Sequence, residues 1–156
     1  MRPHEPYYAV HKLAEAPELD ATLNYVATRS PVSDPHARYL NAEKLGRAEM
    51  VQNSKNYFSP WETIHEGNPQ EILDRHEAVT LPPLLIMQGE LDDNVRPAVQ
   101  EKFAASYRAA GGECQYEVFA GCEHLWVREP GPQTDRAHEM VKAFIARQLK
   151  AKRLAA

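Results

Sequence analysis

Apolar and polar positions alternate in three different ways along this chain, and each way predicts a different element. Residues 83–88 form an unbroken apolar run up to Gln88, bounded by Pro82-Pro83 and Gly89, which is the pattern of a strand buried on both faces. Residues 114–119, Cys-Gln-Tyr-Glu-Val-Phe, alternate with the period of two expected of a further strand. Residues 21–28, Ala-Thr-Leu-Asn-Tyr-Val-Ala-Thr, are rich in β-branched and aromatic types and are closed by Ser30-Pro31, so they predict a strand that precedes both.

Helical spacing occupies the intervals. Val99, Phe103, Tyr107 and Ala110 recur on one face between Pro97, suited to a first helical turn, and the stop signal Gly111-Gly112. Ala137, Met140, Val141, Phe144, Ile145 and Leu149 mark a final helix over about 135–150, with Thr134 or Asp135 expected as its N-cap. From about Pro35 to Ala78 the apolar residues are sparser, and turns are expected near Gly46, Ser59-Pro60 and Gly67-Asn68-Pro69. Several short helices fit this stretch, and its lack of one strong apolar face suggests an excursion packed over something else.

Strand, helix, strand, helix with short connections predicts an α/β fold with a parallel sheet and right-handed crossovers. In such sheets the chemistry lies beyond the C-terminal strand ends. Asp92 and His124 fall there.

Composition narrows the function classes. The chain has 156 residues, 43% apolar and 26% charged, enough for one domain spanning 1–156 with a core. A net charge of -4, with no basic cluster larger than Lys150, Lys152 and Arg153, gives no electrostatic footprint for nucleic acid or an anionic membrane. The longest apolar run is too short to span a bilayer and the N-terminus lacks the apolar core of a signal peptide, so a cytoplasmic location is expected. Cys114 and Cys122 are expected as free thiols, with no metal framework and no cofactor. His36, His65, His76 and His138 are scattered without metal-ligand spacing and read as surface histidines.

Gly89-x-x-Asp92 places a carboxylate just past a buried strand, with the glycine expected to give the backbone room to turn. Gly121-x-x-His124 places an imidazole likewise. A catalytic histidine needs a carboxylate on its Nδ1 side to fix the tautomer and stabilise the imidazolium, and adjacent strand ends can supply one. Taken alone, an Asp after a strand reads as a turn or capping residue. Cys122 as a thiol nucleophile is disfavoured, because it is only two positions from His124 in a loop and no helix N-terminus is evident to lower its pKa.

The run Leu81-Pro82-Pro83-Leu84-Leu85-Ile86-Met87-Gln88-Gly89-Glu90-Leu91-Asp92-Asp93-Asn94-Val95, the helix end Tyr107 to Gly112, the segment Tyr116 to His124 and the closing Ala143 to Leu149 together resemble the C-terminal half of an α/β-hydrolase of the esterase/lipase and prolyl-oligopeptidase-like kind. The resemblance covers about Thr22 to Leu149. It implies a partial α/β-hydrolase fold in which residues 36–80 form a cap-like helical excursion. Triads of that family run Ser, acid, His along the chain, so the resemblance implies Asp92 as acid, with Asp93 the second choice, and His124 as base.

Family members carry a G-x-S-x-G elbow, and none of Ser30, Ser33, Ser54, Ser59 or Ser106 is flanked in that way. The opening Met1 to Tyr8 resembles sequence that follows the elbow helix. The expectation is the C-terminal part of an ester-cleaving serine hydrolase with little turnover of its own, acting on a small-molecule ester only in complete form.

The resemblance further implies Ser33 and Asp34 as pocket wall, against a simple Pro-bracketed turn. It offers Tyr39, Tyr57, Phe58 and Trp61 as substrate contacts, against a role in holding the excursion down. Trp126 reads as pocket lining or as cover for the sheet edge. The alternative class is a non-catalytic α/β ligand- or partner-binding module. A partial sheet with an uncovered edge would favour a homo-oligomer or a complementing N-terminal chain.

Overall fold

A computed structural model describes residues 13–16 and 22–155. Three parallel strands in the order β1-β2-β3 make the sheet: β1 (Val26–Arg29), β2 (Leu84–Gly89) and β3 (Cys114–Phe119). Between β1 and β2 lie four short helices, α1 (Pro35–Lys44), α2 (Ala48–Tyr57), α3 (Thr63–Glu66) and α4 (Pro69–Asp74). The helix α5 (Pro97–Ala109) joins β2 to β3, and α6 (Pro132–Ala155) closes the chain after a 3-10 turn at Trp126–Arg128. This is the partial α/β-hydrolase fold expected, and no helix among the described residues is long and apolar enough to cross a membrane.

The strand β2 is the centre of the core, since all six of its residues are buried. Its side chains divide by the period of two. Leu84 and Ile86 join Phe103, Ala104 and Tyr107 of α5 and Leu73 of α4 on one face, and Leu85 and Met87 join Phe119, Ala137 and Phe144 on the other. Helices therefore cover both faces of β2, which is why its sequence is continuously apolar rather than alternating.

β1 is shorter than its sequence pattern suggests. Val26–Arg29 pair with Leu84–Met87, and β2 starts at Leu84, so the residues before Val26 have no neighbouring strand to extend the ladder. The expected start at Ala21 lies outside the described residues, as does Met1 to Tyr8. The cap of α6 also departs from expectation. Asp135 N donates to Gly131 O at 2.9 Å, which makes Gly131 the half-in residue and puts Pro132 at the first helical position, where its missing N–H costs nothing. The Thr134 hydroxyl instead donates to the carbonyls of Glu129 (2.7 Å) and Trp126 (3.4 Å), tying the helix start to the 3-10 turn.

Turn residues elsewhere act as their sequence suggests. Asn68, fully buried, caps α4 by accepting from the Gln70 and Glu71 amides, and Asp34 caps α1 by accepting from Ala37 N. Gly111 ends α5 at φ +88°, a backbone angle that favours glycine.

Truncating the fully buried Leu85 removes contacts on the α6 side while leaving the α5 side intact. Leu85→Ala is expected to lower the unfolding free energy by about 2–5 kcal/mol. Urea denaturation followed by circular dichroism checks it, with the half-exposed Val118 giving a change within about 0.5 kcal/mol on truncation to Ala.

Candidate active site

The loops that leave β2 and β3 are joined backbone to backbone. Glu90 N donates to Phe119 O at 3.0 Å and Leu91 N to Cys122 O at 2.9 Å, while the Glu90 carboxylate accepts from Gly121 N at 2.8 Å. At the crossing point stands Gly89, where a Cβ would meet Cys122 O at 2.5 Å and Glu123 O at 2.7 Å. The expectation that Gly89 serves a turn is therefore corrected. It is not among the glycines with positive φ, and what it supplies is close approach of two main chains. Gly121, at φ +70°, does serve the turn.

Fastened in this way, the loops bring Asp92 and His124 together. His124 Nδ1 lies 2.9 Å from Asp92 Oδ2, so the carboxylate accepts a hydrogen bond from Nδ1–H and leaves Nε2 with the imidazole's free lone pair. Asp92 is fully buried in its side chain while His124 is about one quarter exposed, at 27%. Nε2 has no hydrogen-bond partner among the described residues. Asp93, the second choice for the acid, turns away to an exposed ion pair with Arg47.

The buried carboxylate is held by a full set of donors. Oδ1 accepts from the amides of Asn94 (3.0 Å) and Val95 (2.8 Å), and Oδ2 accepts from Gln88 Nε2 at 3.1 Å as well as from His124. Burial pushes the carboxyl pKa up, but the bonds from His124 and Val95, with attraction from the Ser30 hydroxyl and the His124 ring, outweigh it and leave the group below its ordinary value. Ser30 Oγ is buried without a hydrogen-bond partner. Arg38 adds a cation nearby. Its own pKa is lowered by burial, partly offset by the Asp92 charge, and its Nε donates to Asn94 Oδ1 at 2.8 Å.

Gln88, Arg29 and Ser30, like Arg38, are supports that the sequence does not single out. Gln88 carried a signal, since it is the one polar side chain in a strand with every position buried; its amide also donates to the carbonyls of Gly89 and Val95. Arg29, whose guanidinium donates to His124 O, gave none, because an arginine at a strand end reads as solvated. Ser30 is buried, at φ +44°, and nothing in its neighbours marks that conformation.

The other sequence candidates are placed as follows. Ser33 is buried and its hydroxyl donates to Gln100 Oε1 at 3.1 Å, while its carbonyl accepts from Gln70 N; this binds the loop after β1 to α4 and α5. Asp34 caps α1 and accepts from Asn68 Nδ2 at 2.9 Å. The Trp126 ring stacks on Phe119 with centroids 4.4 Å apart and packs on the α6-side core. Tyr39 is buried against Trp61 in the excursion. Tyr57 and Phe58 instead line a cavity of about 430 Å³ together with Val32, Arg38 and Met50.

The thiols are placed simply. Cys114 and Cys122 are free and buried, and burial pushes both pKa values up, with Glu90 adding to the effect at Cys122. Neither is an activated nucleophile. None of the serine hydroxyls is hydrogen-bonded to His124. The scattered-histidine expectation is corrected at two positions, because His36 and His65 meet with ring centroids 4.7 Å apart.

Residues 13–152 match the prolyl oligopeptidase family. Among solved structures, esterase B of Lactobacillus rhamnosis superposes with a TM-score of 0.66 at 14% identity, over 94% of this chain and 50% of that one. Esterase 2 of the planctomycete Thermogutta terrifontis, phosphoramylated by tabun, gives 0.56 at 23% identity, over 85% of this chain and 46% of that one. A puromycin-hydrolysing peptidase of Mycobacterium tuberculosis gives 0.51 at 21% identity, over 67% and 15%. These likenesses concern the fold, and this chain spans half or less of the length of each structure. No curated protein matches the chain.

Two outcomes are expected from this geometry. Gly89→Ala drives a Cβ into two backbone carbonyls and should cost about 1–3 kcal/mol, with loss of the His124 imidazole's contact with Asp92 visible in its NMR shift. Asp92, with its folded pKa lowered, adds stability that is complete above the unfolded value of about 3.9 and is lost as pH falls through the folded value. Wild-type unfolding free energy should therefore fall more steeply than that of Asp92→Asn below about pH 5, as pH drops through the unfolded and then the folded value; parallel decline contradicts the assignment.

Proposed function

The chain belongs to the prolyl oligopeptidase family, and from that premise we propose that Asp92 and His124 are the acid and base of a Ser-His-Asp site that cleaves carboxylic esters by acyl transfer. The observation that carries the reading is the 2.9 Å contact between a fully buried carboxylate and the Nδ1 of a partly exposed histidine. In this arrangement His124 Nε2 takes the serine proton as the hydroxyl attacks the acyl carbon, then returns it to the leaving alkoxide. Asp92 keeps the ring in the competent tautomer and stabilises the imidazolium, and Gln88 and Arg29 position the two. The cavity beside Arg38, Tyr57 and Phe58 suits part of the acyl or alcohol group. Ser33 and Asp34 act beside that pocket by shaping its loop rather than by touching the reacting atoms, while Trp126 supports the strand end before His124 through Phe119.

The nucleophile and the oxyanion donors come from outside this sequence. The serines it contains support this, since none is flanked by elbow glycines and none is hydrogen-bonded to His124; Ser30 Oγ is buried near Asp92 without a partner. Ser54 donates to Met50 O and Ser106 accepts from Gln70.

A second reading rests on a specific feature, an open apolar cavity of about 430 Å³ beside β1, lined by Val26, Ile72, Leu73, Val79, Leu84 and Phe103 among others. An uncovered sheet face of this kind suits a second copy or a complementing chain. A monomer in size-exclusion chromatography counts against it.

The functional test takes two steps. The chain alone should neither react with a fluorophosphonate probe nor hydrolyse a short-chain nitrophenyl ester, and labelling that vanishes in His124→Ala would overturn the absent-nucleophile claim. Joined to an upstream in-frame segment bearing G-x-S-x-G, it should turn over esters, and Asp92→Asn should lower kcat by about 10⁴-fold while Asp93→Asn changes it little.

A further inference from the structure

We propose that His36, His65 and Glu71 form a binding site for a divalent transition-metal ion of the zinc class, on the excursion and apart from the Asp92–His124 site. The three side chains come from three different helices: His36 from α1, His65 from α3 and Glu71 from α4. One ligand atom from each lies within 4.8 Å of the others. Both histidines turn Nδ1 to the same oxygen, Glu71 Oε1, His65 at 3.0 Å and His36 at 3.7 Å. Ligands about 2.0–2.1 Å from a tetrahedral ion are separated by roughly 3.3 Å, so the two distances bracket what coordination requires. The ligand atoms of the two histidines lie no more than 4.8 Å apart, and a rotamer change of the rings closes the site.

The surroundings hold the carboxylate as a ligand is held. Asn68, fully buried, donates to Glu71 Oε1 at 3.0 Å and to Asp34 Oδ1 at 2.9 Å. Arg75 donates to the other oxygen, Oε2, at 3.3 Å and also to the carbonyl of His65. Ligating carboxylates are commonly fixed by outer hydrogen bonds of this kind. Arg75 also brings a positive charge that weakens binding of any cation, so the site needs the imidazole–metal bonds to hold an ion. That selects zinc, nickel, cobalt or copper over magnesium or calcium, which prefer all-oxygen shells.

The exposures of the His36, His65 and Glu71 side chains are 33%, 46% and 27%, which leaves coordination positions open to water. An ion there would tie α1, α3 and α4 into one unit. The α1 helix also carries Arg38 and Asn41 onto the loop that holds Asp92, so the ion would stiffen the wall beside that loop without entering it.

The test is calorimetric titration of the full chain with Zn²⁺ at neutral pH. One equivalent should bind and raise the melting temperature, while Mg²⁺ does neither. His36→Gln, His65→Gln and Glu71→Gln should each weaken the Zn²⁺ affinity by about tenfold or more, and His138→Gln, exposed on α6, should leave it unchanged. Zinc X-ray absorption of the unmodified protein gives an independent readout, with two imidazoles and only oxygen or nitrogen neighbours expected. Absence of binding, affinity unchanged in all three variants, or a thiolate or single-imidazole shell overturns the proposal.

Discussion

The contact between Gly89 and the carbonyls of Cys122 and Glu123 is the constraint on which the site depends. Two strands paired in parallel register leave their C-terminal ends side by side, but register alone does not dictate where side chains several residues further on will meet. Here the chains are pressed so close that a single Cβ would not fit, and two amide bonds with one carboxylate lock the loops at that distance. Asp92 and His124 are then each a few residues from a fixed crossing. Their 2.9 Å separation follows from backbone geometry, and the side chains need little adjustment to reach it.

A second layer of polar contacts turns proximity into definition. Asp92 accepts bonds from two amides, a buried glutamine and the histidine, so a charge buried in the core is offset at every lone pair that matters. The excursion takes part from above. Arg38 and Asn41 of α1 and Arg47 just past it reach Asn94 and Asp93, so the loop carrying the acid is clasped between the sheet and the helices that precede β2. This explains why the excursion lacks one strong apolar face. Its attachment to the loop is polar, and its apolar contacts are divided among short helices.

Much of this was legible in the sequence, for physical reasons that differ by element. β2 was readable because burial on two faces leaves a continuous apolar run, β3 from its alternating sequence although Val118 on the apolar face is exposed and Phe119 off it is buried, and α5 because Pro97 and Gly111 punctuate it. The start of β1 was not, since the length of a strand is decided by its partner's end. Asp92 and His124 were readable from their place after strand ends, and the geometry favours Asp92 over Asp93. The supporting residues were mostly silent. Arg29 acts on a carbonyl 95 residues away, Ser30 acts through an unusual backbone angle, and His36 and His65 meet only because three helices fold back on one another. Contacts of that range leave no local spacing to read.

A carboxylate at Asp92 accepts the hydrogen bond from His124 Nδ1–H and so fixes the competent tautomer. Proton NMR of the low-field imidazole region addresses it directly. A hydrogen-bonded Nδ1–H resonance is expected in the wild-type chain and in Asp93→Ala, and it should vanish in Asp92→Ala. A resonance that survives in Asp92→Ala, or is lost in Asp93→Ala instead, would show that Asp92 does not hold the ring.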